Sequence, residues 1–274
     1  MSLSKLKTSK GSLAFVENGE GETLFLWPSL FTDHTLYDDV IGALVDSRWR
    51  TIAIDGPGFG ASTPPNGIVQ PSGYADLVVE LADRLQINKF YFAGTSWGGQ
   101  IGAHLGAKHS DRISGLLLMN TPIEPSHGRH LFELWMTRIL GNTAIVANGV
   151  ARNFLALKTV TSHPERVKRF TSTFASFDKR AAVQAVDTTL RHFDGIEPLL
   201  ARLTIPTTIM FGAEDALYPA DRSVAMARSA SKAEIVVVQD CGHLIPLEAP
   251  EAATRAVVGL RALVDLQDAN AEET

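Results

Sequence analysis

Seven short apolar runs, at 13–17, 23–27, 51–55, 90–94, 115–120, 207–212 and 234–238, are separated for most of the chain by longer stretches of helical periodicity. The later runs are apolar almost throughout, the pattern of strands buried on both faces of a parallel sheet. Helical patterns lie at 37–47, 73–85, 98–108, 220–230 and 249–266. This alternation predicts an α/β fold, a mostly parallel central sheet flanked by helices. The first two runs are joined by NGEGE, a turn signal that predicts an antiparallel hairpin between them.

One stretch departs from the alternation. From about Pro122 to about Pro198 no strand pattern is visible. Helical patterns carry Phe132, Trp135, Phe154, Phe170, Phe174 and Phe177, with breaks at 141–142, 162–164 and 193–195. The stretch begins at a strand end, where α/β folds place ligands. It reads as an inserted helical lid over 122–198, set into a core domain made of 1–121 and 199–274. Helices that merely cover a sheet edge are the alternative.

The net charge of −5 gives no electrostatic reason to expect nucleic acid or an anionic membrane as partner. No apolar run is long enough to span a bilayer, and the first dozen residues lack the apolar segment of a secretory signal. The single cysteine, Cys241, allows no intrachain disulfide. A cytoplasmic protein is expected, as a monomer or a homodimer.

The run at 90–94 leads directly into FAGTSWGG, in which Ser96 stands between Gly94 and Gly98. A serine flanked two residues away by glycines, at a strand-to-helix junction, matches the G-x-S-x-G nucleophile elbow. Small neighbours let strand and helix approach while the hydroxyl projects near a helix N-terminus that favours developing negative charge. A serine hydroxyl needs a base, and the base an orienting carboxylate. His243 follows the last strand candidate, in VVVQDCGHLIPLEAPE, and is the candidate base. Asp215 follows the strand candidate at 207–212 and is the candidate acid, preferred over Glu214 and Asp221 for its place at a strand end. The chain order Ser, acid, His is the one expected of this arrangement.

With these residues in place, the chain resembles the α/β-hydrolase-fold enzymes of the lid-bearing, lipase- and esterase-like kind. The resemblance covers nearly the whole chain and rests on DGPGFGAS (55–62), GTSWGG (94–99), GAEDALYP (212–219) and GHLIPLEAPE (242–251), in the family's order. It implies an acyl-enzyme mechanism, with Ser96 attacking a carbonyl, His243 moving the proton and Asp215 supporting the imidazolium. It also implies a carboxylic ester or lactone of a small hydrophobic molecule as substrate, and no cofactor or metal. Carbon–carbon bond hydrolases and cofactor-free perhydrolases of the fold share the three residues. A non-catalytic ligand receptor is the alternative of another class. Dehalogenases and epoxide hydrolases of the fold use an aspartate nucleophile, so Ser96 argues against both.

One departure concerns the oxyanion hole. Where the family usually carries His-Gly, this chain reads LFLWPSLFTD. Pro28 has no N–H to donate. The backbone N–H groups of Leu30 and Trp97 are the expected donors, with Phe31 as the alternative in register. SLFTD is loosely similar to the SLGTD of enol-lactone hydrolases, with Phe31 in place of glycine. Phe31, Trp97, Trp135, Leu217 and Leu244 are candidate substrate-binding side chains, with core packing an equal alternative for each.

Other features read as decoys. The sequence from Gly56 to Ala61 matches the dinucleotide fingerprint but runs into STPPNG, which cannot open a helix for a pyrophosphate. HGRH at 127–130, near Glu124 and Glu133, reads as a polar entrance to the lid rather than a metal cluster. Cys241 reads as a small packed residue rather than a reactive thiol. Asp33 and His34 either touch substrate or cap the following helix.

Overall fold

The apolar runs become strands, and the inner ones are covered on both sides; the last, 234–238, is instead an edge strand with no buried residue, because only one neighbour pairs with it. A computed structural model describes residues 2–45, 47–65, 67–125, 141, 143–184 and 193–272. Eight strands form one sheet: β1 (Ser2–Thr8), β2 (Gly11–Asn18), β3 (Glu22–Trp27), β4 (Trp49–Ile54), β5 (Phe90–Thr95), β6 (Ile113–Met119), β7 (Thr207–Gly212) and β8 (Glu234–Val238). Their spatial order is β1-β2-β4-β3-β5-β6-β7-β8. All pairs from β4 to β8 are parallel, whereas β2 runs antiparallel to both β1 and β4. Every residue of β5 and β7 is buried, as continuous apolar runs require. The edge strand β1 is largely exposed and carries Lys5 and Lys7, which discourage pairing with another chain.

The hairpin expected between 13–17 and 23–27 does not form. β4 lies between β2 and β3 and pairs with both. The glycines of the connection explain the crossing. Gly19 (φ 77°) and Gly21 (φ 126°) pass so close to the end of β4 that a Cβ at either would strike the Trp49 or Arg48 carbonyl. The turn composition marks a reversal, but it leaves room for a strand inside it. The observed hairpin joins β1 to β2, and β1 lies outside the seven apolar runs.

Helices flank the sheet: α1 (Asp38–Leu44), α2 (Pro71–Arg84) and α3 (Trp97–Lys108) before β6, then α8 (Ala220–Ala227), α9 (Ile245–Glu248) and α10 (Pro250–Glu272) after β7. Between β6 and β7 no described residue lies in a strand, and the helices are α4 (Ala144–Phe154), α5 (Leu157–Ser162), α6 (Pro164–Ser176) and α7 (Glu197–Leu200). Thr143 caps α4 through its hydroxyl, and Pro164 opens α6, where a missing N–H costs nothing. No helix among the described residues is long and apolar enough to cross a membrane.

Candidate active site

The parallel strands end together, and their carboxyl ends carry the chemistry-bearing residues. Ser96 is the single residue between β5 and α3, with φ 54° and ψ −110°. This backbone region is sparsely populated for a side-chain-bearing residue, at a cost of about 1–3 kcal/mol. The glycines make the turn possible. A Cβ on Gly94 would strike the Gly98 carbonyl, and one on Gly98 would strike the Trp27 carbonyl. Two backbones thus pass each other at contact distance.

Asp215 follows β7 in a tight turn. Its Oδ1 accepts from the N–H groups of Leu217 (2.9 Å) and Tyr218 (3.1 Å). Its Oδ2 lies 2.8 Å from Asn120 Nδ2 and 2.7 Å from His243 Nδ1. Burial pushes the Asp215 carboxyl upward, but the adjacent His243 and the hydrogen bonds from His243, Tyr218 and Asn120 outweigh it and hold the carboxyl below its ordinary value.

His243 is 1% exposed. A carboxylate only accepts hydrogen bonds, so Nδ1 donates to Asp215 and Nε2 remains an acceptor. Ser96 Oγ lies 2.8 Å from Nε2 and donates to it. The three residues singled out in the sequence are therefore brought into one hydrogen-bonded line. The His243 ring stands edge-on to Phe154, with centroids 5.1 Å apart, and its main-chain N–H donates to the Phe154 carbonyl at 2.6 Å.

The 28–32 segment lies against the first turn of α3, since a Cβ on Gly98 would also meet the Pro28 carbonyl. Ser29 to Thr32 form a turn, with the Thr32 N–H and hydroxyl both donating to the Ser29 carbonyl (3.3 and 2.8 Å). Among the described residues, the N–H groups of Leu30, Phe31 and Trp97 make no turn or ladder hydrogen bond. Phe31 takes φ 64°, the conformation glycine adopts without strain. Its ring packs on Phe59, Phe154 and Phe174, with centroids 6.3, 6.3 and 5.1 Å away.

The other candidate side chains are placed differently. The Trp97 ring is buried against Trp27, Tyr74 and Phe59. Leu244 is fully buried, Leu217 half-buried. Trp135 and the HGRH segment lie outside the described residues. Asp33 caps the turn before α1 by accepting from the Thr35 N–H. His34 pairs with Asp55 at 2.7 Å. The loop matching the dinucleotide fingerprint instead wraps its own Asp55, which accepts from the Ala61 N–H, while the Ser62 hydroxyl donates to the Asp55 carbonyl. Asp33, His34 and Asp55 are the one group of metal-ligating type among the described residues, and Asp55 already receives three donors there. Cys241 is fully buried, and burial pushes its thiol well above the ordinary range.

Two residues beside the line went unassigned in the sequence. Asn120 ends the run at 115–120 and bridges Asp215 to the Gly242 carbonyl. Its signal was a polar residue at the carboxyl end of a buried strand. Glu248, inside GHLIPLEAPE, is 7% exposed and accepts from the N–H groups of Gly242 and Leu244.

Comparison with known proteins agrees with this architecture. The chain is 27% identical over 266 residues to haloalkane dehalogenase 2 of Mycobacterium tuberculosis, covering 92% of each. A thermophilic esterase from Thermogutta terrifontis superimposes with a TM-score of 0.86 at 26% identity, covering 96% of this chain and 99% of the esterase. The enol-lactonase from Burkholderia xenovorans LB400 shares the fold, with a TM-score of 0.87 at 23% identity over 94% of this chain and 100% of its own. The profile of the alpha/beta hydrolase fold family matches residues 22–250. That span runs from β3 through the loop carrying His243, and the chain is a hydrolase belonging to this family.

Proposed function

We propose that the chain is a serine hydrolase that cleaves a carboxylic ester or lactone of a small hydrophobic molecule through an acyl-enzyme on Ser96. The observation that carries this reading is the continuous line from Ser96 Oγ through His243 to Asp215, with links of 2.8 and 2.7 Å. His243 Nε2 takes the serine proton as Oγ attacks the carbonyl. The imidazolium that forms is stabilised by Asp215, which is held ionised by its surroundings. The Trp97 N–H, at the start of α3, and the N–H of Leu30 or Phe31 receive the developing oxyanion, and the helix N-terminus adds its partial positive charge. His243 then returns the proton to the leaving group, and water releases the acid by the reverse sequence.

The likeness to an esterase supports this substrate class. The likeness to a dehalogenase does not extend it to alkyl halides, because a serine hydroxyl stands where dehalogenases of the fold use aspartate. The helices between β6 and β7 act as a lid in this reading. Phe154 and Phe174 from this connection meet Phe31 beside the oxyanion turn, giving an apolar wall suited to a hydrophobic acyl group or ring.

The test is a panel of p-nitrophenyl esters of rising chain length, several lactones and one ring-fission diketone, each with wild type and Ser96→Ala. Serine-dependent turnover of esters or lactones is expected, with kcat falling by about 10⁶ in the variant. Retention of most activity by Ser96→Ala would reject the mechanism. Turnover of the diketone alone would move the enzyme to carbon–carbon bond hydrolysis.

A further inference from the structure

The three main-chain N–H groups centred on His243 have no strand or helix partner, and all three are nevertheless bound. Glu248 Oε1 accepts from Gly242 (3.1 Å) and Leu244 (3.2 Å), on either side of the histidine. The Phe154 carbonyl accepts from His243 itself. The other oxygen of Glu248 faces the connection between β6 and β7. Oε2 accepts from the Ala156 N–H at 2.7 Å and the Thr159 hydroxyl at 2.8 Å. Arg166 of α6 donates to the Glu248 carbonyl. The α4–α5 junction fits tightly here, since a Cβ on Gly242 would strike the main chain from Phe154 to Ala156.

We propose that Glu248 is a positioning residue, fixing the His243 ring in line with Ser96 and fastening the histidine loop to the α4–α5 junction. The proposal rests on His243 being the base. A buried carboxylate receiving four donors resists any rotation of the 242–244 peptides, because each rotation breaks a charge-assisted hydrogen bond. A displacement of about 1 Å at a reacting group can cost about 10²-fold in rate. The base geometry therefore depends on the docking of the connection, through one side chain that never touches substrate.

Glu248→Gln and Glu248→Ala separate the two halves of this clamp. Glutamine keeps an oxygen for Gly242 and Leu244 but turns an NH₂ group towards the Ala156 N–H. Thr159→Val removes one donor on the connection side and leaves the histidine side whole. Turnover of a p-nitrophenyl ester is measured per active site, counted by fluorophosphonate titration, which sets misfolded enzyme aside. Expected is a graded loss of kcat, about 10²-fold for Glu248→Ala and less for Glu248→Gln and Thr159→Val, with KM nearly unchanged. Wild-type kcat per site in Glu248→Gln and Thr159→Val would overturn the proposal, whether or not Glu248→Ala folds. So would a change confined to KM. Failure of the underlying reading is distinct: His243→Ala would then retain wild-type kcat.

Discussion

Ser96 and His243 are 2.8 Å apart, yet the molecule positions them by different means. Ser96 is set by the main chain: a strand ends, a helix begins, and Gly94 and Gly98 let them nearly touch. His243 sits in a loop held by groups from elsewhere, namely the Asp215 carboxylate, the Phe154 carbonyl and Glu248. Ser96 is thus placed by the sheet itself, whereas His243 takes its geometry from three other segments, one of them the helical connection.

The largest expected effects fall where each device has no substitute. Asp215→Asn should lower kcat by about 10⁴-fold while leaving Ser96 in place, because the amide can present an N–H to His243 and reverse its tautomer. A steady-state assay with the folded variant checks this, and a loss of only a few-fold would mean that the ring is oriented by its other neighbours. Gly98→Ala tests the main-chain side. Its Cβ meets carbonyl groups rather than movable side chains, so urea unfolding should show destabilisation by about 3 kcal/mol, at the upper end for overpacking.

A smaller effect is expected at Phe31, where the two regions meet. Phe31→Ala and Phe31→Gly both lose the packing against Phe59, Phe154 and Phe174, but only glycine relieves the left-handed backbone. Glycine should therefore be the more stable variant by about 1 kcal/mol in urea unfolding. Equal stabilities would show that the turn relaxes once the ring is gone.

The two buried carboxylates near His243 should have opposite pH signatures. The Asp215 carboxyl is held below its ordinary value of 3.8, so its stabilisation is present above that pH and disappears as pH falls through the folded value. Burial raises the Glu248 carboxyl above 4.5, against the pull of its four donors. Its proton-linked stabilisation is present below 4.5 and lost as pH rises through the folded value. Unfolding of wild type, Asp215→Asn and Glu248→Gln from about pH 3 to about pH 7 should show the two differences from wild type changing in opposite directions.

The parallel part of the sheet and the strand-to-helix turn at Ser96 were legible because each is announced locally. A buried strand is a continuous apolar run, and residues that follow the carboxyl ends of parallel strands share one edge of the sheet. Less visible was whatever depends on a distant partner. Glu248 reaches Ala156 across 92 positions, and Asn120 reaches Asp215 across 95. No local pattern in 245–251 or 115–120 specifies such a pairing. NGEGE showed that the chain turns but not that β4 would enter the gap. Phe31 was read as a departure from a glycine-bearing pattern, and its φ of 64° supplies the physical reason glycine suits that position.

Whether His243 activates Ser96 as a nucleophile is read by fluorophosphonate labelling followed by peptide mapping. One label is expected, on Ser96, absent in Ser96→Ala and much slower in His243→Ala. A label on another residue, or one that forms at the wild-type rate without His243, would contradict this pairing of nucleophile and base.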